Sequence, residues 1–147
     1  MEHHEVMIEI LTDCIDLYES GNVEWCKFGN VVIDGFSYDP MRKRLAEDDL
    51  LRVEAACIQG VVALAYRLNP RGLVYEQSHH YVDDIRDEMR NQVRSDHGFK
   101  NSVFLVGWND GRPFESHSAE GTEFMTGFLK RVRSRIQEKS HAVSPIT

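Results

Sequence analysis

The sequence predicts a mainly α-helical (α+β) protein with about four helices around one core and a small β-hairpin or meander after the first helix. Apolar residues recur at three- and four-residue steps in separate segments, as on one face of a helix. Short β-prone runs with turn residues between them follow the first helical segment. The 147 residues suffice for one core, so we expect a single domain over residues 1–147, ordered from about 5 to 138 and frayed at 140–147.

The first helix is predicted over about residues 4–20. Its apolar face consists of Met7, Ile10, Leu11, Cys14, Leu17 and Tyr18. Gly21 suits the left-handed residue that ends a helix. Residues 23–38 then carry β-prone runs with two-residue hairpin signals, Gly29-Asn30 and Asp34-Gly35, between them, which predicts a hairpin or a meander.

A second helix is expected from a cap at Asp48 or Asp49 to about Leu68. This segment is apolar over most of its circumference after residue 55, so it is the best candidate for the central helix and could share a dimer core. Gly60 costs roughly 1 kcal/mol relative to Ala inside a helix, which indicates the close approach of another backbone. The pattern places Cys57 in mid-helix, on the line that faces the core.

Two further amphipathic helices are predicted. Ser78 is the expected cap of a charged outer helix that ends at His97-Gly98. Its apolar stripe is Val82, Ile85, Met89 and Val93. Ser116 or Ser118 is expected to cap the last helix, and residues 103–106 before it form either a strand or a short helical turn. The stripe of the last helix is Phe124, Met125, Phe128, Leu129, Val132 and Ile136.

Charge and cysteine content restrict the location and the partners. Asp and Glu outnumber Lys and Arg by 24 to 17, a formal net charge of −7, which weighs against nucleic-acid binding. The basic run at 130–135 is interpreted as a solvated face. No apolar run approaches the roughly 20 residues of a membrane span. Three cysteines without a CxxC pair, together with an N-terminus unlike a signal peptide, predict a cytoplasmic location.

A metal site is one possible source of chemistry. On a helix, His79 and Asp83 face the same side, and so do His80 and Asp84. Two imidazoles and two carboxylates could supply half of a divalent metal site. The favoured interpretation is the first turn of a helix, where acidic residues lie near the positive end of the dipole.

A cysteine-dependent hydrolase or transferase is the other possibility. Cys57 would be the nucleophile, His117 the base and Asp110 the group that orients the base. This chemistry requires Cys57 to open a helix, where the dipole favours a reactive thiol. Because the pattern places Cys57 in mid-helix, a buried structural thiol is favoured.

Trp108-Asn109-Asp110 is the most unusual local string. Asn and Asp tolerate turn geometry, so a structural turn is favoured over a binding loop from these residues alone. Sequence signatures of phosphate loops, dinucleotide turns, zinc proteases and serine hydrolases are lacking, and we expect no cofactor.

The order of the motifs resembles a small family of domains of unknown function found in actinobacteria and their phages. Trp25-Cys26 follows the first helix, Cys57 and Gly60 lie in the apolar segment, and Trp108-Asn109-Asp110 precedes the last helix. The resemblance spans about residues 5–137, although Val61 stands where the family usually has Ala. It implies a phage or actinobacterial accessory protein of the bacterial cytoplasm, in which the 108–110 string has a role beyond one turn.

We therefore expect a small non-enzymatic interaction protein that binds a host protein, or a second copy of itself, through Trp108, Asn109 and Asp110. The hydrolase or transferase that uses Cys57 is the first alternative, and the metal-binding protein is the second.

Overall fold

Helices dominate the chain in the computed structural model, which describes residues 2–27, 30–40, 45–72, 75–97 and 114–143. The helices in these ranges are α1 (His3–Glu19), α2 (Glu47–Leu50), α3 (Ile58–Leu68), α4 (Tyr75–His97) and α5 (Ala119–Val143). The strands are β1 (Glu24–Trp25), β2 (Val31–Ile33), β3 (Phe36–Tyr38) and β4 (Ala55–Ala56). The predicted class, mainly helical with a small sheet after the first helix, is confirmed.

The four strands form one mixed sheet in the order β1-β4-β2-β3. The hairpin of β2 and β3 is confirmed, and Asp34 and Gly35 at its turn have φ angles of 51° and 83°, as a two-residue hairpin turn requires. The predicted meander is wrong, because β1 does not lie next to β2 in the sheet. β4 lies between β1 and β2, parallel to β1 with Trp25 opposite Ala56, and antiparallel to β2. Because β4 lies far from β1 in the sequence, no local sequence pattern could predict that these two strands pair.

The single helix predicted from residue 48 or 49 to Leu68 is also wrong. α2 ends after one turn at Leu50, β4 follows, and α3 begins at Ile58 with Cys57 as its N-cap. A short apolar run fits a buried strand as well as a helix, and here pairing with strands on both sides makes it a strand. Cys57 therefore opens α3 and does not lie in mid-helix.

Gly60 allows the first turn of α3 to lie directly against the sheet. A Cβ atom at this position would be 1.9 Å from the backbone oxygen of Asn30, so the predicted close approach of another backbone is confirmed. The Cys57 amide donates a hydrogen bond to the same oxygen at 2.9 Å. The start of α3 is thus bound to the residue that precedes β2.

The main core lies between α1, α3, α4 and α5, and α1 contacts each of the other three. α3 is buried along most of its length, as expected for a central helix. The predicted stripe of α4 is buried throughout. In α5 the buried stripe is Met125, Phe128, Leu129, Val132 and Ile136. Phe124 departs from it, since it is 36% exposed and rests against Phe114 with ring centroids 5.1 Å apart.

The helix ends agree partly with the prediction. Ser118 caps α5, because its Oγ accepts a hydrogen bond from the Gly121 amide at 3.0 Å. α4 begins at Tyr75, three residues before the expected cap at Ser78. α5 continues to Val143, past the start of the predicted frayed tail, and residues 103–106 lie outside the described ranges.

None of the described helices is long and apolar enough to cross a membrane.

The basic run of α5 forms ion pairs with the neighbouring helices. Lys130 Nζ lies 2.6 Å from a Glu19 carboxylate oxygen of α1. Arg131 lies 3.1 Å from Asp96 of α4. Such partly exposed pairs contribute at most about 1 kcal/mol each, so they orient the helices more than they stabilise the fold.

The two glycines Gly60 and Gly127 allow a matched test of this packing. We expect Gly60→Ala to lower the free energy of unfolding by about 1–3 kcal/mol, because the Asn30 backbone cannot move aside as a side chain would. At Gly127, in the interior of α5, a Cβ would meet none of the described atoms within 4 Å. Gly127→Ala should raise the free energy of unfolding by about 1 kcal/mol. Urea denaturation measures both, and the same change in both variants would contradict the close approach at Gly60.

Candidate functional site

Two of the three motif segments meet at the carboxyl ends of β1 and β4. The Cys26 amide donates a hydrogen bond to the Ala56 carbonyl at 3.3 Å, one residue beyond the pairing of Trp25 with Ala56. Cys26 and Cys57 are therefore neighbours across the two strands, and both belong to a small cluster on one face of the sheet. We call Cys26, Asn30, Cys57 and Gly60 the strand-end site.

Cys57 opens α3 as its N-cap, the position that the predicted cysteine chemistry required. Its side chain is partly exposed, and its sulfur accepts a hydrogen bond from the Gly60 amide at 3.4 Å. The thiol also lies within donating distance of Asn30 Oδ1, at 3.9 Å. Cys14, by contrast, is fully buried and donates to the Val61 carbonyl at 3.6 Å, which confirms its predicted place on the apolar face of α1.

Tyr18 connects α1 to the strand-end site. Its hydroxyl donates a hydrogen bond to the Ala56 carbonyl at 2.7 Å. Burial raises the pKa of Tyr18 well above its ordinary value of 10.0, and nearby thiols add to the shift. These thiols belong to Cys57, Cys14 and Cys26. Tyr18 is therefore a neutral hydrogen-bond donor throughout the physiological pH range.

The structure does not join Cys57 to its predicted base, His117. The His117 amide bonds to the Trp25 carbonyl at 2.9 Å on the outer side of β1, whereas Cys57 follows β4 on the other side. Their backbones are thus separated by two strand spacings of about 4.8 Å each. The His117 ring lies 3.5 Å from the Glu24 carboxylate. Asp110, the third member, lies outside the described residues.

The predicted metal ligands do not form a site in the part of the chain that the structure describes. They lie on α4: His79, His80, Asp83 and Asp84. Asp84 bonds to His3 Nε2 at 2.5 Å, and the His3 ring stacks on Tyr81 with centroids 4.6 Å apart. No group of three or more His, Cys, Asp or Glu side chains among the described residues could hold a metal ion. Asp84 instead binds the start of α1 to α4.

A groove with a volume of about 630 Å³ lies between the end of α1, β1 and the first half of α5. Volumes of this size are typical of ligand sites. We call it the α1–α5 groove. Its small or apolar lining residues include Tyr18, Val23, Ala119, Thr122, Thr126 and Gly127. Its charged lining residues are Glu19, Glu24, Glu123 and Lys130.

The charges of the α1–α5 groove do not balance. Lys130 is paired with Glu19 at 2.6 Å, so these two charges cancel. Glu24 and Glu123 remain as negative lining residues, and a carboxylate oxygen of Glu24 lies 3.5 Å from Nδ1 of the His117 ring. The groove therefore combines an apolar lining with negative potential.

α5 presents small side chains to this groove. The hydroxyl of Thr126 donates to the Thr122 carbonyl at 2.7 Å. That of Thr122 donates to the Ser118 carbonyl at 2.9 Å and accepts from the Trp25 amide at 3.0 Å, so both hydroxyls already have partners within the protein. Gly121 is explained by packing, because a Cβ there would lie 2.6 Å from the Trp25 ring. Gly127 has no such neighbour among the described residues, and its effect is to leave the groove open.

The sequence analysis missed the α1–α5 groove, although two glycines in one amphipathic helix were a signal that it could have used. The binding residues that it did predict, Trp108, Asn109 and Asp110, lie outside the described residues. Comparison of the chain with protein-family models, curated proteins and solved structures finds no match. The geometry of the strand-end site and of the groove is thus the basis for a functional proposal.

The buried groups Tyr18 and Cys14 predict a loss of stability at high pH. Burial, with Asp13 nearby, raises the pKa of the Cys14 thiol above its ordinary 9.0, and the pKa of Tyr18 is raised above 10.0. Above these ordinary values the unfolded chain loses protons that the folded protein keeps. The free energy of unfolding should therefore be unaffected by these groups below pH 9 and fall above it, by about 1.4 kcal/mol per pH unit and group.

Urea denaturation between pH 8 and pH 11 tests this dependence. Cys14→Ala should remove the part of the slope that begins near pH 9, and Tyr18→Phe the part that begins near pH 10. Each variant is compared with the wild type by its slope, because both substitutions also change stability at neutral pH. Slopes identical to that of the wild type would contradict burial of the two groups.

Proposed function

We propose that this chain is a small non-enzymatic binding protein whose α1–α5 groove holds a segment of a partner protein. The observation that carries the proposal is Gly127. A glycine in a helix interior costs about 1 kcal/mol relative to alanine, and no described neighbour occupies the space where its Cβ would lie. A Gly in a helix interior has a packing or a functional reason, and because no described neighbour packs at Gly127 we assign this open space to a ligand.

The lining of the groove indicates what the partner segment looks like. Apolar and threonine side chains cover most of it, so an aliphatic or aromatic side chain would lose its contact with water there. Glu24 and Glu123 favour a Lys or Arg beside that side chain. The net charge of −7 would steer a basic partner toward the protein over a longer range. We therefore propose a basic segment with an apolar anchor.

The proposal includes a cytoplasmic location and an accessory role, with a phage-encoded protein binding a host protein as its most specific form. Three cysteines without a disulfide support a reducing compartment, and the negative charge disfavours nucleic acid as the partner. The resemblance to the actinobacterial and phage family supports the accessory role. A contribution of Trp108, Asn109 and Asp110 to binding, and formation of a homodimer, stay predictions.

A random-peptide display library tests the groove directly, with Gly127→Leu as the blocking variant. The leucine side chain extends into the open space above Gly127, while leucine remains a good helix former. Peptides selected on the wild type should contain an apolar residue beside Lys or Arg. Their affinity for Gly127→Leu, measured by calorimetry or fluorescence anisotropy, should be lower by about tenfold or more, a difference of 1.4 kcal/mol.

Two further variants serve as controls for this experiment. Gly127→Ala adds one methyl group and should retain binding of the selected peptides. Glu123→Gln should weaken binding and make it less dependent on salt concentration, because one of the attracting charges is removed. Selected peptides that bind Gly127→Leu as tightly as the wild type, or that carry no excess of positive charge, would refute the proposed site or its chemistry.

A further inference from the structure

We propose that Cys57 and Cys26 are a reversible oxidation site, in which Cys57 reacts with hydrogen peroxide and Cys26 then forms a disulfide with it. This inference is independent of the α1–α5 groove and concerns the strand-end site alone. Three observations carry it: the position of the two residues across β1 and β4, the difference in their exposure, and the hydrogen bonds around the Cys57 sulfur.

The sheet brings the two cysteines to neighbouring positions. Trp25 pairs with Ala56 in parallel β1 and β4, and Cys26 and Cys57 are the next residues on the two chains. Neighbouring strands lie about 4.8 Å apart, within the range of roughly 4.4–6.8 Å between Cα atoms that disulfides span. Residues in register point to the same face of a sheet. Both cysteines accordingly belong to one cluster, together with Val32 and Ala55.

The exposure of the two thiols assigns their roles. Cys57 is partly exposed, so a small oxidant in solution reaches it. Cys26 is only 2% exposed, so it meets an oxidised sulfur on Cys57 more readily than an oxidant from solution. Oxidation-sensitive cysteines are typically accessible and have a second, resolving cysteine beside them. Cys14 has neither property, since it is fully buried and its thiol bonds to a carbonyl of α3.

Two groups lie close to the Cys57 sulfur, which stands at the N-terminus of α3. The Gly60 amide donates to this sulfur at 3.4 Å, and the positive end of the helix dipole at this position favours negative charge. The thiol lies within donating distance of Asn30 Oδ1, at 3.9 Å. The same close contact of Gly60 with the Asn30 backbone holds these groups in place.

The reaction balances with hydrogen peroxide as its only oxidant. The deprotonated sulfur of Cys57 attacks one peroxide oxygen, the O–O bond breaks, and the departing hydroxide takes up the proton to give water. The sulfur of Cys26 then attacks the sulfenic sulfur of Cys57. The S–S bond forms, the S–O bond breaks and a second water leaves with the Cys26 proton. Two thiols lose two electrons in total, and a dithiol reductant restores them.

Mass spectrometry of the full-length, reduced wild type tests the site without any substitution. The native protein is treated with hydrogen peroxide, then alkylated in denaturant and digested. We expect the intact mass to be lower by about 2 Da, because two hydrogens are lost. The digest should contain a peptide that links Cys26 to Cys57, and Cys14 should be completely alkylated. Dithiothreitol should reverse the change. The proposal would be overturned if Cys26 could still be alkylated after Cys57 is oxidised, or if the disulfide joined two protein molecules.

Three single substitutions separate the roles of the thiols. Cys26→Ser should stop the reaction at a sulfenic acid on Cys57, which dimedone captures. Cys57→Ser should leave Cys26 reduced under the same peroxide treatment. Cys14→Ser is the matched control and should form the same linkage as the wild type. Circular dichroism checks that each variant is folded, and oxidation of Cys26 in folded Cys57→Ser at the wild-type rate would refute the assigned order.

Discussion

The parallel pairing of Trp25 with Ala56 is the contact on which the rest of the structure depends. The carbonyl of Ala56 accepts hydrogen bonds from both the Cys26 amide and the Tyr18 hydroxyl, so α1, β1 and β4 meet at one oxygen atom. The indole of Trp25 is 1% exposed and lies against α5 at Gly121. One strand pair thereby connects the first helix, the sheet and the last helix.

Glycines determine how closely the helices approach this strand pair. Gly60 brings the first turn of α3 against the backbone of Asn30, and Gly121 brings α5 against the Trp25 ring. In both cases the space of a missing Cβ is filled by a neighbour, and dispersion contacts offset the lower helix propensity. Gly127 differs, since the described structure leaves its space open, and this difference separates a packing position from a binding surface.

The two sides of β1 carry different chemistry. Val23 and Glu24, at the start of the strand, line the α1–α5 groove, while pairing with β4 places Cys26 next to Cys57. Tyr18 contributes to both, because it lines the groove and its hydroxyl bonds to Ala56 beside the thiols. Cys57 lies at the N-cap of α3 and is partly exposed, whereas most residues within α3 are buried.

The sequence alone determined the features that depend on neighbours in the chain. The apolar stripes of α1 and α4, that of α5 apart from Phe124, the Asp34-Gly35 hairpin and the close approach at Gly60 all follow from local spacing or backbone geometry. Local spacing also limited the cap of α5 to Ser116 or Ser118. Tertiary structure decided that residues 47–68 form a helix, a strand and a second helix, because the strand Ala55–Ala56 exists only through pairing with β1 and β2. Tertiary structure also decided that Cys26 lies beside Cys57 and that the α1–α5 groove exists. The residues of both sites come from distant segments of the chain, and the periodicity within one segment cannot specify contacts between segments.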